Sequence, residues 1–224
     1  MTKQAVYFVT GTDTDVGKTY VSALLLKYLS QSASVIGYKP IAAGAEYVNG
    51  ELHNDDAVTL RNASSELIDY QRINPICFEP PIAPHIAAEK ANVLLTVETL
   101  NQWWIKEQDN SDIALIEGAG GWRLPLNNSE YLSDFVRVQN CEVIVVVGMK
   151  LGCLNHALLT IEAIKADGLR IKGWVANQLH EPMAFYDDNL AYLKQSIDVP
   201  FLGEVKSDQQ VENIEFFGLY TQAT

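Results

Sequence analysis

A glycine–lysine–threonine triplet, Gly17-Lys18-Thr19, follows a short apolar segment and opens a helical pattern. Strand, glycine-bearing loop and helix in this order are typical of a phosphate cradle, because the loop N–H groups and the helix dipole point at an anion. Lys18 supplies positive charge for the β/γ-phosphates, and the Thr19 hydroxyl can bind Mg²⁺. The standard spacing puts the first glycine at position 12, which is Thr12 here, whereas Gly11 stands one residue earlier. The loop predicts a nucleoside triphosphate site.

Charged residues also follow two other apolar segments directly. Lys39 comes after residues 35–38, and Glu117 comes after residues 113–116 and opens a glycine-rich stretch. Ligands of open parallel sheets bind beyond the carboxyl ends of the strands. We therefore expect Lys39 to face the same phosphates, the alternative being a solvated surface lysine. Glu117 stands where a triphosphatase places its magnesium-organising carboxylate, the alternative being a flexible loop.

Three further features each allow two interpretations. The acidic run at Asn54 is a helix cap with dipole-compensating charge, or else Asp55 or Asp56 is a second magnesium ligand. The glycine-bearing stretch 148–156 is a second anion site, or else an ordinary turn with Asn155 as the helix cap. Asn177 offers an amide that could recognise a purine edge. Cys153 is expected to be a small packing residue rather than a nucleophile.

Continuous apolar runs alternate with helical patterns along most of the chain. We predict strands at 5–10, 35–38, 113–116, 143–147, 172–176 and 201–205, and helices at 18–30, 55–62, 97–108, 155–167 and 187–197. Runs that are apolar throughout are typical of strands buried on both faces. The pattern predicts an α/β domain over residues 1–224, with a mostly parallel sheet covered by helices on both faces. The proline-bearing segment 40–97 is expected to be an excursion packed against that sheet.

Composition narrows the class of protein. The formal net charge of −12 and the pI near 4.7 leave no basic footprint for nucleic acid and oppose binding to an anionic membrane. We expect neither partner. Cys77, Cys141 and Cys153 are odd in number and widely spaced, which favours a reduced cytoplasmic protein without a zinc site.

Taken together, five segments resemble one family of P-loop NTPase-like proteins. They are 11–19 (GTDTDVGKT), 37–40 (GYKP), 117–121 (EGAGG), 150–156 (KLGCLNH) and 173–177 (GWVAN). In this order they are similar to dethiobiotin synthetase, and the displaced glycine is part of that family's pattern. The resemblance implies ATP-dependent carboxylation and ring closure of 7,8-diaminopelargonate with CO₂, through a carbamate and a carbamic–phosphoric anhydride.

The resemblance also implies roles for individual residues. It implies catalytic roles for Lys18, Lys39 and Thr12, and Mg²⁺ binding by Thr19, Asp56 and Glu117. It implies ATP contacts for Asp13, Thr14, Asp15, Val16, Gly17, Lys18, Thr19, Tyr20, Asp56, Glu117, Gly118, Ala119, Gly120, Asn177 and Gln178. Substrate contacts are implied for Thr12, Lys39, Ala43, Gly152, Cys153, Leu154 and Asn155, the last four from the neighbouring subunit of a homodimer.

The chain departs from the family pattern at Ala43, where a hydroxyl residue is common, and at Val205-Lys206-Ser207, near the expected adenine site. The competing hypothesis is an ATPase switch of the partitioning or septum-site kind. Those proteins share the fold but carry a lysine near the start of the phosphate loop. This loop begins with Gly11-Thr12 and has no lysine there.

Overall fold

The computed structural model describes residues 4–108, 110–178, 183–206, 216 and 219. Its elements in chain order are β1 (Ala5–Gly11), α1 (Lys18–Leu29), β2 (Val35–Tyr38), β3 (Ile41–Ala43), β4 (Glu46–Val48), β5 (Glu51–His53), α2 (Asp55–Ala63), α3 (Tyr70–Ile73), β6 (Ile76–Phe78), α4 (Pro84–Ala91), α5 (Val97–Glu107), β7 (Ile113–Gly121), α6 (Leu132–Gln139), β8 (Glu142–Met149), α7 (Cys153–Ala166), β9 (Ile171–Gln178), α8 (Tyr186–Ser196) and β10 (Phe201–Val205).

Within the described ranges, six strands form one sheet in the order β10-β9-β8-β1-β7-β2. Every neighbouring pair is parallel, which confirms the parallel sheet predicted from the apolar runs. The chain moves from β1 to the β7–β2 side and later crosses to the β8 side. The loop after β1 therefore lies at the point where the strand order reverses, which is where ligands bind in open α/β sheets.

Alternate residues of the buried strands pack on opposite faces of this sheet. Phe8 belongs to one apolar cluster together with residues of α5, α6 and α7, whereas Tyr7 and Val9 belong to a second cluster together with α1. Since both faces carry a helical layer, both sides of each central strand must be apolar. This explains why these strands read as continuous apolar runs.

The segment 40–97 contains β3 to β6 and the helices α2 to α4. Its buried residues, among them Ile41, Tyr70 and Phe78, share one cluster with Phe8 and Ile116 of the central sheet. The excursion therefore packs against the sheet, as its position in the sequence suggested. Its short strands form two-stranded pairs, β3 with β6 and β4 with β5, among the residues described.

Two predictions about helices need correction. Helix α7 begins at Cys153 and is capped by Gly152 in a left-handed conformation (φ 94°), so Asn155 is a residue of the first turn and not the cap. Helix α6 was not predicted, although Leu132, Phe135 and Val136 have the spacing of a buried helical face. It is only eight residues long and its remaining positions are mostly polar, which hides it in the sequence.

Candidate active site

The loop after β1 is held in place by hydrogen bonds to residues of β8 and β9. The backbone N–H of Thr12 donates to Val146 O of β8 (3.0 Å), and Asn177 Nδ2 of β9 donates to Val16 O (2.8 Å). Gly17 has φ 80°, and a Cβ there would lie 2.2 Å from Asn177 Nδ2. Only glycine fits both the backbone conformation and the space. These contacts fix where the loop lies relative to the strands.

Lys18 and Thr19 open helix α1 directly after this loop. Lys18 is buried, and its Nζ donates to Asp13 O (3.2 Å), so the side chain curls back over the loop. Burial, and then the positive charge of Lys39, lower the pKa of Lys18 to about 8. A buried ammonium beside a glycine-bearing loop and a helix N-terminus suits the binding of phosphate oxygens.

A buried charge centre lies beside the loop. Lys39 Nζ is 2.6 Å from Glu117 Oε1 and 3.0 Å from Asp56 Oδ2, and it also donates to Gly118 O (3.3 Å). Thr19 Oγ1 donates to the same Glu117 oxygen (2.8 Å). Residues of α1, α2 and β7 therefore meet at one point with Lys39, which directly follows β2. Of the two interpretations of Lys39, the solvated surface lysine is wrong, because Lys39 is 3 % exposed.

The charges of this centre stabilise one another. Burial works against the ammonium of Lys39, but the carboxylates of Glu117 and Asp56 outweigh it and raise its pKa. Burial likewise opposes ionisation of Asp56, and the ion pair with Lys39 outweighs it, so the pKa of Asp56 is lowered. Lysine and aspartate are therefore both charged at neutral pH.

The acidic run at Asn54 caps helix α2 and also brings one carboxylate to Lys39. Asn54 is the N-cap of α2, where its Oδ1 accepts from Asp56 N (3.1 Å) and Ala57 N (3.4 Å). Asp56 then points its carboxylate at Lys39, whereas Asp55 is exposed. Of the two aspartates, Asp56 is the one in the charge centre.

The donors around Glu117 suit a hard cation. Glu117 Oε2 is buried and has no hydrogen-bond partner within the described residues. The Thr19 hydroxyl contacts both the Glu117 and the Asp56 carboxylates, so the three side chains form one group. In the part of the chain that is described, no three acidic, histidine or cysteine side chains form a metal cage. Two carboxylates and a hydroxyl, with substrate phosphates completing the shell, are nevertheless a donor set that Mg²⁺ uses. The residues therefore fit the ion.

A cleft of about 920 Å³ opens above this centre. Its polar side includes the predicted residues Thr14, Asp15, Gly17, Lys18, Thr19, Lys39, Asp56, Ala119 and Gly120. Its other wall is apolar and comprises Ala42, Ala43, Pro81, Ile82, Ala83, Pro84 and Leu124. Apart from Ala43, the sequence reasoning missed this wall. The proline cluster at 75–84 indicated an irregular segment, but its sequence pattern did not predict that the segment would line the cleft.

The remaining predicted residues lie around the cleft rather than in its lining. Asn177 is 4 % exposed and its amide nitrogen is already bonded to Val16, so its structural role is to hold the loop. Val16 is wholly buried, Tyr20 is exposed beside the loop, and Gln178 is half-buried at the end of β9. Thr12 and Asp13 belong to the loop itself.

The turn 152–155 follows β8 and does not line the cleft of its own chain. Gly152 and Asn155 are exposed, Leu154 is half-buried, and Cys153 is buried. Burial raises the pKa of the Cys153 thiol, which agrees with a packing role. Lys150, just before the turn, pairs with Asp13 of the phosphate loop at 2.9 Å. This ion pair joins the turn to the loop, and the sequence reasoning missed it.

A parallel sheet with a glycine-lysine-threonine loop at its switch point defines a P-loop nucleoside triphosphate-binding protein. Solved structures share this fold: a ParA family ATPase from Chlorobium tepidum (TM-score 0.55, 17% identity, 92% of this chain and 85% of that one) and the MinC:MinD complex of Aquifex aeolicus (TM-score 0.51, 16% identity, 90% and 81%). At such identities the likeness concerns the fold alone.

Sequence comparison identifies the family. A family model described as an AAA domain matches residues 5–215. The ATP-dependent dethiobiotin synthetase BioD of Alteromonas mediterranea is 51% identical over 218 residues (92% of this chain, 94% of the relative), and that of Aeromonas salmonicida is 48% identical over 201 residues (89% of each). The chain belongs to the dethiobiotin synthetase family, as the five sequence segments predicted.

Proposed function

We propose that this chain catalyses the ATP-dependent closure of the ureido ring of dethiobiotin from 7,8-diaminopelargonate and CO₂. Membership of the family supports the overall reaction. The observation that carries it to this chain is the buried Lys39, held between Glu117 and Asp56 beside the phosphate loop. A nucleotide switch needs the phosphate loop, but it does not need the Lys39 ammonium in a cleft that also has an apolar wall for a second substrate.

The reaction balances in three steps. One amine of the substrate adds to CO₂ and loses a proton, which gives a carbamate. A carbamate oxygen then attacks the γ-phosphorus of ATP, and ADP leaves, so that a carbamic–phosphoric anhydride forms. The second amine attacks the anhydride carbon and loses a proton, and phosphate departs with the bridging oxygen. Each step gathers negative charge near one point, so positioning and charge stabilisation supply most of the catalysis.

The chain's own residues fit these steps. Lys18 would contact the β/γ-phosphates, and Lys39 would meet the carbamate and the transferred phosphoryl group, with Thr12 hydrogen-bonding at the same centre. Lys39 already donates to three acceptors, Asp56, Glu117 and the Gly118 carbonyl. It must therefore give up one of them to meet the substrate, and the Asp56 contact is the more exposed of the two ion pairs.

Thr19, Asp56 and Glu117 would hold Mg²⁺, which when bound neutralises charge on the β/γ-phosphates. Gly118, Ala119 and Gly120, together with loop residues 13–20, would contact ATP. Asn177 and Gln178 would lie near its base. The apolar wall from Ala42 to Leu124 suits the alkyl chain between the amines and the distant carboxylate of the substrate.

The proposal includes a homodimer. The exposed 152–155 turn offers a helix N-terminus, and in a dimer it would receive the substrate carboxylate from the neighbouring active site. Leu151 is 94 % exposed beside this turn, and an interface there would cover it.

The proposed setting is the cytoplasm, where ATP and CO₂ are available. All three cysteines are free thiols. Among the helices of the described residues, none has the length and apolar character needed to cross a bilayer.

The direct test supplies Mg²⁺, ATP, bicarbonate and 7,8-diaminopelargonate, and measures phosphate release together with the mass of the product. We expect release that requires the diamine and a product with the mass of dethiobiotin. A matched analogue that lacks one of the two amines can form the carbamate and the anhydride but cannot close the ring, so it should give no cyclic product. Equal phosphate release with and without the diamine would refute the ligase function and favour a nucleotide switch.

The variant Lys39→Ala tests whether Lys39 acts in the chemical step or only in nucleotide binding. Lys39→Ala should abolish ring closure while ATP binding, measured at a temperature where the variant is folded, stays nearly intact. Loss of ATP binding in Lys39→Ala would instead give Lys39 a purely nucleotide-binding role.

A further inference from the structure

Tyr70, at the start of α3, places a buried hydroxyl between two polar partners. The backbone N–H of Asn54 donates to Tyr70 Oη (2.8 Å), and Tyr70 Oη donates to Asn74 Oδ1 (2.8 Å). All three residues are at least nine-tenths buried. The hydroxyl thus uses its single donor and one acceptor position on neighbours that water does not reach.

One of these partners controls the backbone of Asp56. Asn54 is the N-cap of α2, and its Oδ1 accepts from the Asp56 N–H at 3.1 Å. Holding the Asn54 backbone therefore fixes the start of the helix that carries Asp56 into the charge centre.

The other partner controls the backbone of Lys39. Asn74 Nδ2 donates to Lys39 O at 2.6 Å, and the N–H of Lys39 donates to Ile73 O at 3.0 Å. Lys39 follows the last residue of β2, so these two bonds set where the strand end points its side chain.

Two branches of hydrogen bonds thus start at the Tyr70 hydroxyl, one through Asn54 to Asp56 and one through Asn74 to Lys39. They end at side chains that contact each other, since Lys39 Nζ lies 3.0 Å from Asp56 Oδ2. We propose that Tyr70 is a positioning residue, whose hydroxyl fixes the backbones of Lys39 and Asp56 relative to each other. The link to catalysis rests on the proposed function, in which both side chains act on the phosphoryl-transfer centre. Misplacement of such groups by about 1 Å can cost on the order of 100-fold in rate.

The Tyr70 ring has a separate role in packing. It stacks on His53, with centroids 4.1 Å apart and planes 12° apart, and it belongs to the main apolar cluster. Tyr70→Phe retains the ring and removes only the hydroxyl, which leaves Asn54 N–H and Asn74 Oδ1 without this partner. The substitution therefore tests the polar bridge without creating a cavity.

Tyr7→Phe is a matched control. Tyr7 is also buried, and its hydroxyl donates to Leu219 O at 3.0 Å, but it lies in the other apolar cluster. Both variants lose one buried tyrosine hydroxyl of the same chemistry.

The experiment has two readouts. Amide hydrogen exchange of the ligand-free chain should speed up at residues 39–43 and 54–57 in Tyr70→Phe and stay unchanged there in Tyr7→Phe. In turnover assays normalised to the folded fraction, kcat of Tyr70→Phe should fall at least roughly 10-fold, while KM for the diamine stays within roughly threefold. Exchange needs no substrate, so a failure of the proposed function would leave this readout intact.

Unchanged exchange in both segments, a kcat within about twofold of the parent chain, or an equal loss in Tyr7→Phe would overturn the proposal. If Tyr70→Phe does not fold, Asn74→Ala takes its place, with the same limits on kcat and KM. That variant removes the bond to Lys39 O and a longer one to Ile76 O (3.4 Å), but leaves the bond between Asn54 N–H and Tyr70 Oη in place, so exchange should increase at 39–43 and not at 54–57.

Discussion

Replacing Lys39 with methionine removes the only cation between Glu117 and Asp56 in the described site and keeps most of the side-chain volume. The side chain of Lys39 is 4 % exposed and that of Glu117 is 0 % exposed. Removing one partner of a buried ion pair costs about 3–5 kcal/mol, because an uncompensated charge remains. For a chain of this size each kcal/mol lowers Tm by about 2–4 °C, so Tm should fall by roughly 6–20 °C at neutral pH.

The pH dependence follows from the two shifted groups. The pKa of Lys39 is raised above its ordinary 10.5, so its contribution to stability is present below that value and is lost as the pH rises through the folded-state pKa. The pKa of Asp56 is lowered below 3.8, so its contribution is present above 3.8 and is lost as the pH falls through the lower folded-state pKa. The difference between the parent chain and Lys39→Met should be largest between these limits.

Denaturant titration at one fixed protein concentration measures this difference, since the stability of an oligomer depends on concentration. Lys165→Met, which breaks an exposed pair with Asp198, is the control and should cost only about 0–1 kcal/mol. Adding Glu117→Gln to Lys39→Met removes the orphaned charge and should restore part of the stability. A cost below about 1 kcal/mol for Lys39→Met, with no recovery in the double variant, would show that the pair is solvated and would refute this reasoning.

Three further predictions concern ligands. Because the pKa of Lys18 is lowered to about 8, Lys18 should take up a proton when ATP binds near pH 8, and ATP should bind more weakly above that pH. Calorimetry in buffers of different ionisation enthalpy detects the proton uptake, and Lys18→Arg should abolish it. Gly17→Ala should lower ATP affinity at least roughly 10-fold in a binding titration, because its Cβ would lie 2.2 Å from Asn177 Nδ2, whereas Gly50→Ala, at φ 88° with no atom within 4 Å, should leave affinity unchanged. Ala43→Ser, which restores the family's hydroxyl in the cleft, should lower KM for the diamine by up to about fivefold, worth about 1 kcal/mol, with KM for ATP unchanged; an unchanged diamine KM would contradict it.

The sequence predicted the central sheet well, and it pointed to charged residues that the structure brings together beside the phosphate loop. Residues such as Ile113 and Val145 lie in strands buried on both faces, so their apolar runs are unambiguous. Lys39 directly follows β2, and Glu117 lies within β7, which is longer than the predicted strand 113–116 and includes the glycine-rich stretch. The two residues meet because parallel strands bring their carboxyl ends to one edge. The apolar runs that predicted the strands therefore also indicated where Lys39 and Glu117 would meet.

The parts that escaped prediction depend on tertiary contacts. Ile82 and Leu124 form the apolar wall only because the excursion folds back over the sheet edge. The Tyr70–Asn74 pair acts on the site because Asn74 also donates a hydrogen bond to the backbone carbonyl of Lys39, 35 positions away in the sequence. No periodicity in the chain encodes such contacts, and short elements such as α6 carry too few residues to show one.

Oxygen tracing tests the central claim most directly, namely that a carbamate oxygen attacks ATP at this site. The enzyme is given ¹⁸O-labelled CO₂ with Mg²⁺, ATP and 7,8-diaminopelargonate, and the reaction is quenched before the label exchanges with water. One oxygen of the carbamate should leave with phosphate and the other should stay in the ureido carbonyl, so the two products should carry equal label. The label in dethiobiotin measures any exchange. Unlabelled phosphate beside labelled dethiobiotin would contradict the mechanism.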